Sequence, residues 1–313
     1  EVRSSSVAPK TNLNYILALF IAILLPTSFL MIRDFLNTKI VDIQELENIA
    51  NYPVVGSVFH NETKSSKPIL THPQSAISES FRTIRTNFDF FLKGQTQQII
   101  LLTSSISGEG KTFTSINLAT SFALNGYKTI VLEFDLRRPK VHQEFGYKNI
   151  LGISSYLINN AMVSDIIKST SIDNLDLITA GPKPPNPAEL INSGKTNELL
   201  ELLKEMYDFI IIDSAPVGVV SDTFLLMKHS EVNLFIVRQN KTEREAFNNT
   251  LKKLKTNGID NITLLLNDVD AKKESMKYGY DLKYYSSNGK SSSLFGRLFS
   301  TKSKRREQVE EYV

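Results

Sequence analysis

Ser104-Ser105-Ile106-Ser107-Gly108-Glu109-Gly110-Lys111-Thr112 follows the apolar run Ile99-Ile100-Leu101-Leu102 and precedes a helical pattern from Thr114 to Leu124. A buried strand, a turn of small residues and Gly-Lys-Thr entering a helix together describe a phosphate-binding loop. Successive backbone N–H groups in such a turn form a concave anion site, and the positive end of the following helix points into it. Lys111 is then placed for the β- and γ-phosphates of ATP, and the Thr112 hydroxyl for Mg²⁺. The expected nucleotide contacts are Ser107, Gly108, Glu109, Gly110, Lys111, Thr112 and Phe113. The pattern G-x-x-x-x-G-K-[ST] departs at its first glycine, where this chain carries Ser105.

Beyond the loop, strand and helix patterns alternate. Lys128 to Asp135, Leu175 to Thr179, Phe209 to Asp213, Asn233 to Arg238 and Asn261 to Asn267 read as strands, with helical segments at Asn197 to Met206 and Glu243 to Asn257. Near-continuous apolar strands separated by helices predict an α/β fold, a P-loop NTPase-like parallel sheet with helices on both faces. Ligands of such sheets bind beyond the carboxyl ends of the strands, where Lys111, Asp135 and Asp213 all fall. These three are the candidate catalytic residues. Thr112, Asp135 and Asp213 are the candidate metal ligands, with Asp213 closing the most apolar strand as the carboxylate behind the metal. Asp135 is also placed to accept a proton from an attacking hydroxyl.

On the N-terminal side, Tyr15 to Ile32 is an 18-residue run without charge, interrupted only by Pro26, Thr27 and Ser28. At about 1.5 Å per residue it spans roughly 27 Å, close to the thickness of a bilayer core. One transmembrane helix is therefore predicted over 15–32, with 1–14 as an extracytoplasmic remnant in a chain that begins with Glu1. Residues 33–75 read as a juxtamembrane linker, 76–272 as the nucleotide domain and 273–313 as a tail. Since the nucleotide site needs cytosolic ATP, everything after 32 is expected in the cytoplasm. Within a helical pattern from Ser78 to Phe91, Glu79, Arg82 and Arg85 recur every three residues and share one face, suited to a neighbouring subunit's carboxylate. The chain has no cysteine. Disulfide frameworks, thiolate metal sites and thiol nucleophiles are thereby excluded.

The tail differs in composition. Five of the 11 tyrosines lie there, Tyr278, Tyr280, Tyr284, Tyr285 and Tyr312, in a setting without core periodicity. Residues 271–313 hold ten Lys and Arg against five Asp and Glu, whereas the whole chain carries only +3. A basic tail on a tethered protein is drawn to anionic lipid. No nucleic-acid module accompanies it, and nucleic acid is not an expected partner.

Taken together, these features resemble the bacterial tyrosine kinases of the polysaccharide co-polymerase group over roughly 14 to 313. The loop at 104–112 is similar to that family's Walker A motif, Glu133-Phe134-Asp135-Leu136-Arg137-Arg138-Pro139 to its Walker A′ motif, and Phe209 to Asp213 to its Walker B motif. Glu79, Arg82 and Arg85 match its E-x-x-R-x-x-R oligomerisation motif, and the tail its tyrosine cluster. Glu133 stands where the family has aspartate, which leaves its role open. Asn267 sits where related ATPases place an adenine-contacting asparagine. The resemblance implies an inner-membrane, ATP- and Mg²⁺-dependent tyrosine kinase that phosphorylates the tail tyrosines between subunits of a homo-oligomeric ring. It further implies work with polysaccharide polymerase and export proteins and reversal by a tyrosine phosphatase. Two rivals stand beside it, a catalytically silent nucleotide-binding scaffold and a ParA/MinD-type ATPase. The signature lysine of the latter would fall at 106, which is Ile106.

Overall fold

A computed structural model describes residues 11–91 and 98–271. Its centre is an eight-stranded sheet in the order β1-β8-β7-β2-β6-β3-β5-β4. The strands are β1 (Val54–Phe59), β2 (Gln98–Ser104), β3 (Thr129–Glu133), β4 (Ile167–Ser169), β5 (Leu175–Ile178), β6 (Phe209–Asp213), β7 (Val232–Arg238) and β8 (Ile262–Val269). All neighbouring pairs are parallel except β4 with β5. Parallel strands need crossovers, and helices such as Lys111–Leu124, Gly194–Lys204 and Arg244–Thr256 provide them.

Strand periodicity divides the core into two layers. On one face Ile99, Leu101, Ile210, Ile212, Phe235 and Val237 pack together. On the other, Ile100, Leu102, Phe209, Ile211, Leu234 and Ile236 pack against helices Ala76–Phe91 and Lys111–Leu124. Phe122 anchors this second layer: its ring stacks on Phe209 at 3.9 Å between centroids and meets Tyr127 edge-on at 6.2 Å.

The N-terminal helix runs Thr11–Phe35, and its 21-residue segment Leu13–Arg33 is long and apolar enough to cross a membrane and is not buried against the rest of the chain. Pro26 interrupts its ladder. Next to it, the Thr27 hydroxyl donates back to the Ile23 carbonyl at 2.8 Å.

The structure departs from the expectation of a linker over 33–75 in that residues 37–59 are built into the domain. Ile40, Leu46, Val55 and Val58 are buried in the two core layers, and β1 pairs along β8. Immediately after the N-terminal helix, residues 37–45 strap onto the loop that follows β7. Ile40 N–H donates to the Thr242 carbonyl at 3.0 Å, Asn240 N–H to Ile40 at 2.9 Å and Arg244 N–H to Thr38 at 2.9 Å. Glu45 pairs with Arg244 and accepts the Val41 N–H. Polar residues on both sides of each short apolar run hide this edge strand from a periodicity reading, since its partner lies some two hundred positions away.

Because Phe122 is fully buried with aromatic neighbours on several sides, Phe122→Ala is expected to cost about 3–5 kcal/mol. Urea unfolding of the detergent-solubilised protein, compared with wild type, measures it.

Candidate active site

Parallel pairing brings the ends of β2, β3, β6, β7 and β8 to one edge of the sheet, and the site is assembled there. β2 ends at Ser104 and the next helix begins at Lys111, so residues 105–110 turn tightly between them. Gly110 has φ +100°, and a Cβ on it would lie 2.0 Å from Asn267 Nδ2; only glycine fits. Ser105 is not among the positive-φ residues, which explains how the loop dispenses with the usual first glycine. The close approach is made by another glycine, Gly218, whose Cβ would stand 2.2 Å from the Ser105 carbonyl oxygen.

Glu109 turns inward and is fully buried, accepting the Ile106 N–H at 2.8 Å and the Thr242 hydroxyl. Burial pushes its carboxyl up, against the pull of those bonds and of Lys111. Outside the turn, Arg238 Nη1 and Lys241 Nζ each donate to the Gly108 carbonyl at 2.9 Å, and Asn267 Nδ2 donates to the Glu109 carbonyl at 2.8 Å. Asn267 thus braces the loop from behind. Ser107 is exposed at the tip, and Phe113 is half-buried at 5.9 Å from the Phe81 ring.

Inside the turn, Lys111 is buried and donates to Ser104 Oγ at 3.0 Å. Burial pushes its ammonium below the usual value while Asp213, Glu109 and Asp135 pull it back. Asp213, 2% exposed, accepts from Thr112 Oγ1 at 2.9 Å and Ser115 Oγ at 3.2 Å. Burial pushes it up to about 7, with Lys111 and the Thr112 hydroxyl opposing and Asp135 and Glu133 adding to the rise. A carboxylate this deep, hydrogen-bonded by two hydroxyls and facing the Lys111 charge, suits a cation. Its donor set is all oxygen, matching a hard ion such as Mg²⁺. Among the described residues no three His, Asp or Glu side chains gather to grip a metal alone. That fits magnesium, which takes one or two carboxylates and completes its shell with phosphate and water.

Asp135 lies two residues beyond the end of β3. Its N–H donates to the Asp213 carbonyl at 3.1 Å, and its Oδ1 accepts the Arg138 N–H at 3.0 Å. The next residue but one, Arg137, makes a two-pronged pair with buried Asp222 at 2.7 and 3.0 Å, pinning the loop to helix Asp222–Met227. Lys111, Thr112, Asp135 and Asp213 are therefore gathered at one edge. Glu79, Arg82 and Arg85 are elsewhere, on the helix packed behind Lys111–Leu124. Glu79 pairs with Arg82 at 2.7 Å, and Arg85 reaches the Ser121 carbonyl at 3.4 Å. Tyr278, Tyr280, Tyr284, Tyr285 and Tyr312 lie outside the described residues. Sequence reading missed Thr242, Lys241 and Arg238, which belong to no motif, and Ser115, hidden in a helix. The basic pair Arg137-Arg138 after the Walker A′ acid was the one available signal for the Arg137 clamp.

The raised Asp213 carries a pH consequence. A carboxyl whose folded value lies near 7, above an unfolded value near 3.8, holds its proton better in the folded state. Its relative contribution to stability is therefore full below the unfolded value and is lost as pH rises through about 7. Nucleotide-free Asp213→Asn is expected to melt several degrees above wild type at pH 8, with the gap closing as pH falls towards 4. Thermal scans across that range check it.

Comparison with known proteins agrees with this geometry. Residues 97–256 match the AAA domain family. The chain is 37% identical over 218 residues to the putative tyrosine-protein kinase CapB of Staphylococcus aureus, covering 68% of this chain and 94% of that protein. It is 34% identical over 211 residues to the tyrosine-protein kinase YwqD of Bacillus subtilis, covering 67% and 89%. Among solved structures, the kinase domain of the Escherichia coli tyrosine kinase ETK superposes with a TM-score of 0.69 at 26% identity, over 74% of this chain and 96% of that one. A nucleotide loop braced from outside, two acids on neighbouring strand ends and these relatives lead to one assignment: the chain belongs to the bacterial tyrosine-protein kinase family.

Proposed function

We propose that this protein is a membrane-anchored kinase that transfers the γ-phosphoryl group of ATP to tyrosines of the C-terminal cluster, between neighbouring chains. The observation that carries the reading is the convergence of Lys111, Thr112, Asp135 and Asp213 at one sheet edge, with Thr112 bonded directly to Asp213. The names of its relatives support tyrosine as the acceptor.

Phosphoryl transfer asks mainly for positioning and charge neutralisation. The backbone N–H groups of 107–112 hold the phosphates, and Lys111, kept in place by Ser104, faces the transferred group. Thr112, Asp135 and Asp213 would hold magnesium, which when bound neutralises developing charge on the phosphate oxygens. A phenol with a pKa near 10 is a poor nucleophile at neutral pH. Asp135 takes its proton as the tyrosine oxygen bonds to the γ-phosphorus and the bond to the ADP oxygen breaks. The apolar N-terminal helix supports membrane anchoring, with the reaction at the cytoplasmic face of the inner membrane. There the kinase regulates exopolysaccharide or capsule polymerisation and export, assembling through Glu79, Arg82 and Arg85 and reset by a tyrosine phosphatase.

Lys111→Met is expected to abolish phosphotyrosine while leaving the fold intact, read by mass mapping of the tail after incubation with ATP; normal phosphorylation in that variant would refute the assignment. Asp135→Asn should retain nucleotide binding and lose transfer by at least 100-fold, within the range general-base removal produces. Each modified tyrosine adds about −1.5 to −2 charges, so several of them reverse the tail's positive excess and should loosen the ring. The mass of the solubilised protein before and after ATP, beside Arg82→Ala/Arg85→Ala, tests this. An oligomer unchanged by full phosphorylation, or a double variant that assembles normally, removes the assembly model.

A further inference from the structure

Glu133 is a fully buried carboxylate to which the reaction above gives no task. It ends β3 level with Asp213 on β6, so from the register alone it looks like a second acid of the site. Its hydrogen bonds run elsewhere. Oε1 accepts the backbone N–H of His142 at 3.3 Å, Oε2 accepts the backbone N–H of Ala180 at 3.0 Å, and His142 Nδ1 lies 3.1 Å from both oxygens. With each oxygen already accepting from a main-chain N–H, the ring nitrogen between them serves as a third donor.

These contacts join three places: the end of β3, the short helix Val141–Glu144 and the turn after β5. The segment from 134 to 141, enclosed between Glu133 and His142, is the loop that carries Asp135, Arg137 and Arg138. The Glu133 carboxylate therefore closes that loop at its base, while the Arg137 pair with Asp222 holds its crest. Aspartate, shorter by one methylene, would draw the carboxylate back from these donors. Glutamate at 133 and histidine at 142 are matched to each other.

We propose that Glu133 is a positioning residue and His142 its partner, together fixing the loop that aims Asp135. The activity arm of this inference rests on the kinase reading above. Groups that orient a ligand carboxylate from one shell out commonly change metal affinity or activity by about 10–100-fold when removed.

The test uses the full chain in detergent with four variants, Glu133→Asp, Glu133→Gln, His142→Phe and His142→Asn. Glu133→Asp and His142→Phe are expected to lower kcat for tail phosphorylation about 10–100-fold with the KM for ATP within about twofold, because the phosphate loop is untouched. Both should also lose much of the strengthening of ADP binding by Mg²⁺. His142→Asn places an amide N–H near the position of the ring Nδ1–H and should recover most of the rate. Independently of activity, hydrogen exchange of peptides covering 134–142 should quicken in His142→Phe and stay near wild type in His142→Asn. Wild-type transfer or unchanged exchange in His142→Phe overturns the proposal. So does a Glu133→Gln variant as inactive as Asp135→Asn beside two normal His142 variants, since that marks Glu133 as a reacting group. Should Glu133→Asp fail to fold, the His142 pair still decides. Absence of phosphotyrosine in wild type would refute the kinase reading instead, and the exchange comparison would still judge the loop closure.

Discussion

Asp213 lies at the end of the central apolar strand, nearly out of reach of water, and the edge of the sheet is arranged around the need to satisfy it. A buried carboxylate is stabilised by an opposite charge, hydrogen-bond donors or a cation. Here the opposite charge is Lys111, itself desolvated, and the donors are the hydroxyls of Thr112 and Ser115 on the helix that Lys111 opens. That mutual dependence ties β6 to the phosphate loop. It also gives the loop a use for a divalent cation.

The loop has a second set of supports on its outer side. Glu109 is drawn into the protein by Thr242, and Gly108 is held by Arg238 at the end of β7 and by Lys241 in the turn that follows. That turn is in turn strapped by residues 37–45, which emerge directly from the N-terminal helix. Gly110 fits in this framework only because it lacks the Cβ that would strike Asn267.

Much of the site was legible before any tertiary information. Lys111 and Thr112 follow from Gly-Lys-Thr after an apolar run, and Asp135 and Asp213 from acids closing buried strands. These are local patterns, and parallel pairing brings local strand ends to one edge. The brace residues were not legible. Thr242 and Arg238 have no spacing relation to the loop, and Ser115, one helical turn after Lys111, is marked only by its contact with Asp213; these contacts span more than ninety positions of chain. Asn267 was expected only through the resemblance, as an adenine contact; the structure has it donating to the loop backbone.

The sequence by itself determined the fold class, the phosphate loop, the order of the acids and a helix apolar enough for a membrane, because each is encoded in the periodicity or spacing of neighbours. Only the tertiary structure decided that residues 37–59 complete the domain rather than link it, since β1 is recognisable only through its pairing with β8. The same holds for Glu133. Its role was left open by the resemblance, because the direction of a buried side chain is set by which donors surround it, and those come from His142 and Ala180.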